Sequence, residues 1–137
     1  MQFTGGSETI LIVDDEVDIR KLVAAVLGHL GYSVLTAENG DRALALYARL
    51  GARVDLLVAD VMVPGLSGPL LAERLTAIQP DLKVLYMSGY DRSHVVRAYV
   101  LNRGHALLRK PFSPVQLANA VDEALHGTPR TRTAGGG

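Results

Sequence analysis

Five short runs of apolar, often β-branched residues recur along the chain. They occupy residues 9–13, 33–37, 54–60, 82–88 and 105–110. Uninterrupted apolar runs of about four to eight residues are typical of strands that are buried on both faces of a sheet. We therefore predict five strands, and we expect all but the short second one to be fully buried.

The segments between these strands have apolar residues three or four positions apart, which is the spacing of one helix face. Helices are predicted at residues 16–30, 40–50, 70–78, 92–102 and 114–125, and glycines or a proline follow the first three. Ser113 and Gln116 have the spacing of a capping box around Pro114. The positions predicted to face the core are Ile19, Leu22, Val23, Val26, Leu27, Leu30, Ala43, Leu44, Tyr47, Leu50, Leu70, Leu71, Leu75, Ile78, Leu117, Val121 and Leu125.

Strands and helices alternate five times, which predicts a (βα)5 domain of the α/β class. Crossovers of this kind are right-handed and build a parallel sheet that is covered by helices on both faces. The 137 residues suffice for one such domain, and no second domain or repeat is visible. We predict that the domain covers residues 8–126 and that residues 1–7 and 127–137 are flexible termini.

Polar side chains follow four of the strands at their carboxyl ends. They are Asp14 and Asp15, Asp60, Ser88 and Lys110. Ligands of open α/β sheets bind at that edge. Adjacent carboxylates repel each other unless a cation lies between them, and an all-oxygen ligand set suits Mg²⁺. Because a lysine can bind phosphate oxygens as a point charge, the pattern predicts a site for a divalent metal and a phosphoryl group.

Each of these residues also has an ordinary structural interpretation. An aspartate pair can cap the following helix, and Asp60 can begin a turn before a Pro-Gly loop. A Ser-Gly pair is usually a plain turn, and a lysine that ends a buried strand usually extends into solvent. On the functional interpretation, Asp60 is a nucleophile that forms an aspartyl phosphate, and the Lys110–Pro111 bond is a candidate for the rare cis form.

Composition narrows the class of protein. The chain is 48% hydrophobic and 20% charged with a formal net charge of +0, which is typical of a globular protein without a polyanion-binding surface. The absence of cysteine excludes disulfides and thiolate metal sites. Without a signal peptide or an apolar run near the roughly 18 residues of a membrane span, we expect a cytoplasmic protein that binds neither membranes nor nucleic acid directly.

Taken together, the motifs resemble the receiver domain of two-component response regulators, over residues 8–126. The matching motifs are Asp14-Asp15, Asp60 in the segment DVMVPGLSG, Ser88-Gly89 and Lys110-Pro111-Phe112. The segment LKVLYMSGY is similar to receivers that are fused to sensor or hybrid histidine kinases. The resemblance implies a flavodoxin-like three-layer sandwich with a five-stranded parallel sheet of order 2-1-3-4-5.

The resemblance also implies roles for the individual residues. Asp60 would accept a phosphoryl group from the phosphohistidine of a sensor histidine kinase or a histidine phosphotransfer domain, and Ser88 and Lys110 would bind the phosphoryl oxygens. The ligands of Mg²⁺ would be the Asp15 and Asp60 carboxylates, the backbone carbonyl of Met62 and, through water, Asp14. Such a domain promotes its own phosphorylation and dephosphorylation but is not expected to be an independent enzyme. A homodimer through the fourth helix, fifth strand and fifth helix is one option.

One position departs from the family pattern. Receivers usually carry Tyr or Phe three residues before the lysine, and its inward rotation accompanies phosphorylation; here that position is Leu107. Two hypotheses follow. Either the output is a repacking around Leu107, or the domain relays phosphoryl groups with little conformational signal.

Three other functions compete with this interpretation. An aspartyl-phosphate phosphatase of the haloacid dehalogenase type needs a second aspartate where the chain has Met62. A flavodoxin-like nucleotide or flavin binder needs a loop rich in Gly, Ser or Thr after the first strand, where the chain has Asp15 and Glu16. A receiver-like protein-interaction module that has lost phosphorylation is disfavoured because all the acceptor, acidic, hydroxyl and lysine positions are filled.

Overall fold

The computed structural model of the chain describes residues 7–50, 53–62, 66–89 and 106–127. Its elements are β1 (Thr9–Val13), α1 (Val17–His29), β2 (Ser33–Ala37), α2 (Gly40–Leu50), β3 (Leu56–Asp60), α3 (Gly68–Ile78), β4 (Lys83–Ser88), β5 (Ala106–Arg109) and α4 (Pro114–His126). The helix predicted at residues 92–102 and most of the predicted flexible termini lie outside these ranges. None of the helices in the described ranges is both long enough and apolar enough to span a membrane.

The five strands form one parallel sheet in the order β2-β1-β3-β4-β5. Alternate residues of each strand point to opposite faces of the sheet. Leu11 and Leu57 pack with α2 and α3 on one face, while Ile10 and Leu56 pack with α1 and α4 on the other. The predicted α/β class, strand order and three-layer arrangement are therefore confirmed.

Three helix positions that were predicted to face the core are exposed instead. The exposed fractions are 39% for Leu22, 50% for Leu70 and 63% for Ile78. A surface helix buries only a stripe, about 100° wide, against the layer beneath it. In α1 that stripe is narrower than predicted, and its fully buried residues are Val23 and Leu27.

The fifth strand is not buried, contrary to the prediction. Ala106 and Arg109 are exposed, and Leu107 and Leu108 are half-buried. The reason is that β5 lies at an edge of the described sheet and pairs with β4 alone. The connection after it ends at the predicted capping box, in which Ser113 Oγ accepts a hydrogen bond from the Gln116 backbone N–H at 3.1 Å and Gln116 Oε1 accepts from the Ser113 N–H at 2.8 Å. This prediction is confirmed.

Candidate functional site

The register of the sheet brings the polar strand ends to one edge. Val13 of β1 pairs with Ala59 of β3, so Asp14 and Asp60 follow at neighbouring strand ends. In turn, Asp60 pairs with the residue of β4 that precedes Ser88. Parallel strands that end in register place their next side chains together, as the sequence predicted for this edge.

Lys110 joins this edge from the far side of β4. Its backbone N–H donates to the Ser88 carbonyl oxygen at 2.8 Å, which continues the β4–β5 ladder by one residue. The Lys110–Pro111 peptide bond is cis. The lysine side chain does not extend into solvent, since only 12% of it is exposed.

The Lys110 ammonium lies between two buried carboxylates. Its Nζ donates to Asp60 Oδ2 at 2.6 Å and to Asp14 Oδ2 at 2.8 Å, and it reaches Glu16 Oε1 at 3.4 Å. Hydrogen bonds between charged groups are shorter and stronger than neutral ones. The carboxyl ends of β1, β3 and β5 are thus joined by an ionic cluster of Asp14, Asp60 and Lys110.

The second oxygen of each carboxylate is held by the backbone. Asp60 Oδ1 accepts from the Met62 N–H at 2.8 Å, and Asp14 Oδ1 accepts from the Glu16 N–H at 2.9 Å. Both are turns in which an aspartate binds the N–H two residues ahead. Arg20 adds a hydrogen bond from its guanidinium to the Asp14 backbone carbonyl at 2.8 Å. These contacts fix the orientation of both carboxylates before any ligand arrives.

Burial and charge act in opposite directions on the ionisable groups of the cluster. Burial raises the pKa of Asp60 above its ordinary value, against the hydrogen bonds from Lys110 and Met62, and the neighbouring charge of Asp14 raises it further. Burial lowers the pKa of Lys110, but its hydrogen bonds to Asp14 and Asp60 outweigh burial and hold that pKa above its ordinary value. The lysine therefore remains a cation at neutral pH.

Other predicted site residues take different positions. Asp15 is exposed, whereas Asp14 is buried and carries the contact with Lys110. Met62 contributes its backbone N–H to Asp60, and its side chain is exposed. Ser88 is buried at the end of β4.

The chemistry of the donors fits a hard divalent cation. Asp14 and Asp60 already bind one cation, the ammonium of Lys110, through carboxylate oxygens, and Mg²⁺ takes one or two carboxylates and keeps several waters. Within the described ranges no three His, Asp or Glu side chains are grouped closely enough to hold a metal by themselves. A metal here would need water and backbone oxygen in addition to the carboxylates.

Besides Arg20, two residues of the site were not predicted from the sequence, Glu16 and Gly68. From the sequence, Glu16 was expected only to begin a helix and to disfavour an anion in the loop after the first strand, yet its carboxylate reaches Lys110. Gly68, at the start of α3, lies so close to the Asp60 backbone carbonyl that a Cβ there would overlap it. In the sequence, Gly68 is the last residue of the segment DVMVPGLSG, and nothing there indicates the close approach of two backbones.

Comparisons with known proteins agree with this geometry. The family profile of the response regulator receiver domain matches residues 10–122. The chain belongs to this family. The predicted identity as a receiver domain of two-component phosphorelay signalling is thereby confirmed.

The receiver domain is similar to proteins of very different length. It is 32% identical to the response regulator receiver protein CpdR of Brucella abortus (strain 2308), over 85% of this chain and 95% of CpdR. It is 38% identical to a part of the sensor kinase CckA of the same organism, over 88% of this chain but only 13% of the kinase. The solved structure of the Vibrio cholerae chemotaxis protein CheY4 superposes with a TM-score of 0.77 at 28% identity, covering 88% of this chain and 100% of CheY4.

Proposed function

We propose that this receiver domain accepts a phosphoryl group on Asp60 from the phosphohistidine of a sensor histidine kinase or a histidine phosphotransfer domain. The observation that carries the proposal is the Lys110 ammonium, which binds Asp60 Oδ2 and Asp14 Oδ2 at the carboxyl edge of the sheet. It places a permanent cation beside the carboxylate that would receive the phosphoryl group. Such fixed charges stabilise the charge that develops during phosphoryl transfer.

The proposed transfer is an in-line displacement at phosphorus. A carboxylate oxygen of Asp60 forms a bond to phosphorus while the P–N bond to the donor imidazole breaks, and the leaving nitrogen keeps the electron pair and takes up a proton. Lys110 is positioned to bind a phosphoryl oxygen, and the hydroxyl of Ser88 would donate to another. Hydrolysis by water later cleaves the acyl phosphate and restores the Asp60 carboxylate.

Receiver domains generally bind Mg²⁺ at an acidic pocket of this kind. In this chain Asp14, Asp15, Asp60 and the Met62 carbonyl would hold it. When bound, the ion would offset the negative charge on the phosphoryl oxygens. Asp14 and Asp60 support this assignment because their carboxylates are already oriented by backbone N–H groups.

The same proposal covers the phosphoryl donor, the residues that form the domain and the location of the protein in the cell. The similarity to a part of the sensor kinase CckA supports a histidine kinase as the phosphoryl donor, whether on the same chain or on another. We take residues 8–126 as the extent of the receiver unit, which is supported by the family match at 10–122. The location expected from the sequence is the cytoplasm.

The test is phosphorylation of the purified protein by acetyl phosphate, followed by mass spectrometry of the intact chain. We expect wild type to gain one phosphoryl group when Mg²⁺ is present and none when EDTA replaces it. The variant D60N should gain none. The matched control is D81N, which changes an exposed aspartate outside the site and should react like wild type.

A further variant tests the role of the ammonium. K110M keeps the Asp60 nucleophile but removes the cation, and we expect phosphorylation about 10²-fold slower or more, the scale of losing one preorganised electrostatic contact. Absence of labelling in wild type with Mg²⁺, or equal labelling of D60N, would refute the proposal.

A further inference from the structure

The side chain of Glu16 does not cap the helix that begins next to it. It is the N-cap residue of α1, where Ser, Thr, Asp or Asn commonly accepts a hydrogen bond from the first helical turn, but the Glu16 side chain makes no capping bond. Instead its Oε1 lies 3.4 Å from Lys110 Nζ. The side chain is thus directed at the ionic cluster and away from its own helix.

The three carboxylates around Lys110 are not equivalent. Asp60 and Asp14 are buried and bind the ammonium at 2.6 and 2.8 Å, whereas the Glu16 side chain is 61% exposed and more distant. An ammonium has three N–H donors, so it can keep all three partners or move among them. Glu16 is therefore the outermost of the three acceptors around one ammonium.

We propose that Glu16 is a positioning residue that takes over the Lys110 ammonium when a divalent cation occupies the carboxylates of Asp14 and Asp60. This rests on the proposed function, which brings Mg²⁺ to the site. A metal ion there would repel the ammonium from the oxygens that both cations use. Of the acids in the described ranges, Glu16 is the one other carboxylate within ion-pair distance of Lys110. Glu16 would allow the ammonium to move away from Asp14 and Asp60 and still keep a carboxylate partner in the site.

The consequence is measurable as the affinity for metal. If Lys110 has no second carboxylate to move to, metal binding must displace it into water, and the affinity falls. We expect E16Q to raise the Kd for Mg²⁺ about two- to fivefold, the range of partly exposed ion pairs. E16D, which retains the charge on a shorter side chain, should recover part of this loss.

The measurement is a titration of the unphosphorylated protein with magnesium chloride, followed by amide NMR shifts. It needs no phosphoryl transfer. The control D18N removes an acid from the first turn of the same helix that makes no ion pair with Lys110, and it reports the general effect of one lost negative charge. E16Q should weaken binding more than D18N does.

A double-mutant cycle separates a role through Lys110 from simple attraction of the metal. In a K110M background, E16Q should weaken Mg²⁺ binding no more than D18N does. An undiminished effect of E16Q in that background, or equal effects of E16Q and D18N in wild type, would overturn the role of Glu16 and leave the proposed function standing. If wild type shows no Mg²⁺-dependent shifts near Asp14 and Asp60, the proposed function fails and this inference with it.

Discussion

At the scale of single residues, Asp60 sits in surroundings that disfavour its own charge. Burial and the nearby Asp14 raise its pKa, although Lys110 and Met62 donate hydrogen bonds to it. The proposed role of Asp60 as a nucleophile nevertheless requires its ionised form, which in these surroundings lowers the free energy of unfolding. Functional sites commonly carry such a cost in stability.

The first prediction is that D60N is more stable than wild type at neutral pH in the presence of EDTA. Because the pKa of Asp60 is raised in the folded state, the protonated carboxyl is the form that favours folding. Its contribution to stability is complete below the unfolded-state pKa of about 3.9 and is lost as the pH rises through the folded-state pKa. The asparagine amide has no charge to lose. The advantage of D60N, measured as the midpoint of urea unfolding, should therefore shrink as the pH falls towards about 4.

The control for this prediction is D81N, whose stability should change with pH in the opposite direction. Hydrogen bonding to Arg53 lowers the pKa of the exposed Asp81, so its contribution is present above the unfolded pKa and is lost as the pH falls through the folded one. D81N should be slightly less stable than wild type at neutral pH. A D60N variant that is less stable than wild type at pH 7.5 would contradict the account of Asp60.

The sequence predicted which residues lie at this edge but not how they contact one another. Runs that end in Asp14, Asp60 and Lys110 are enough to place these residues at one edge, because strands joined by helical crossovers are parallel and end on the same side of the sheet. The direction of a long side chain depends on its surroundings in space. Hence neither the bridge formed by Lys110 nor its contact with Glu16 could be derived from spacing.

At the scale of secondary-structure elements, helix α3 is set directly against the end of β3. Its first residue, Gly68, touches the backbone of Asp60 and Val61, and Ser67 caps the helix by accepting from the Leu70 N–H at 3.3 Å. The sequence predicted this helix after Ser67-Gly68, with Leu70 as its first core-facing residue. The spacing of hydrophobic residues does not indicate where two backbones approach closely. For this reason the requirement for glycine at residue 68 was not predicted.

The second prediction compares two glycines. G68A would place a Cβ against the Asp60 carbonyl, and we expect it to lower the free energy of unfolding by about 1–3 kcal/mol, as overpacking does. In G28A, within α1, the added Cβ meets nothing within 4 Å, so alanine should stabilise the helix by about 0.5–1 kcal/mol. Urea unfolding measures both changes. Shifts of the same sign in the two variants would refute the steric explanation.

At the scale of the whole molecule, the alternation of strands and helices was sufficient to predict a parallel (βα)5 sheet, while its strand order came from the resemblance to receiver domains. Right-handed crossovers leave few arrangements for five such units. The exposure of β5 was not predictable in the same way, since burial at a sheet edge depends on which other elements cover it. Leu107 is an example. The sequence predicts that it is buried, yet in the structure it is a half-buried residue of the edge strand, beside Tyr86 of β4.

The last prediction concerns how far a phosphoryl signal spreads from Asp60. Leu107 packs on the cluster that faces α2 and α3, and it has no hydroxyl that could exchange a solvent position for an internal hydrogen bond. We therefore expect beryllofluoride, which would mimic the proposed phosphoryl group on Asp60, to shift amide resonances near Asp14, Asp60, Ser88 and Lys110 only. In L107Y, which restores the aromatic residue usual in receivers, the shifts should extend along β5 into α4. Shifts that already reach α4 in wild type would instead support repacking around Leu107 as the output of the domain.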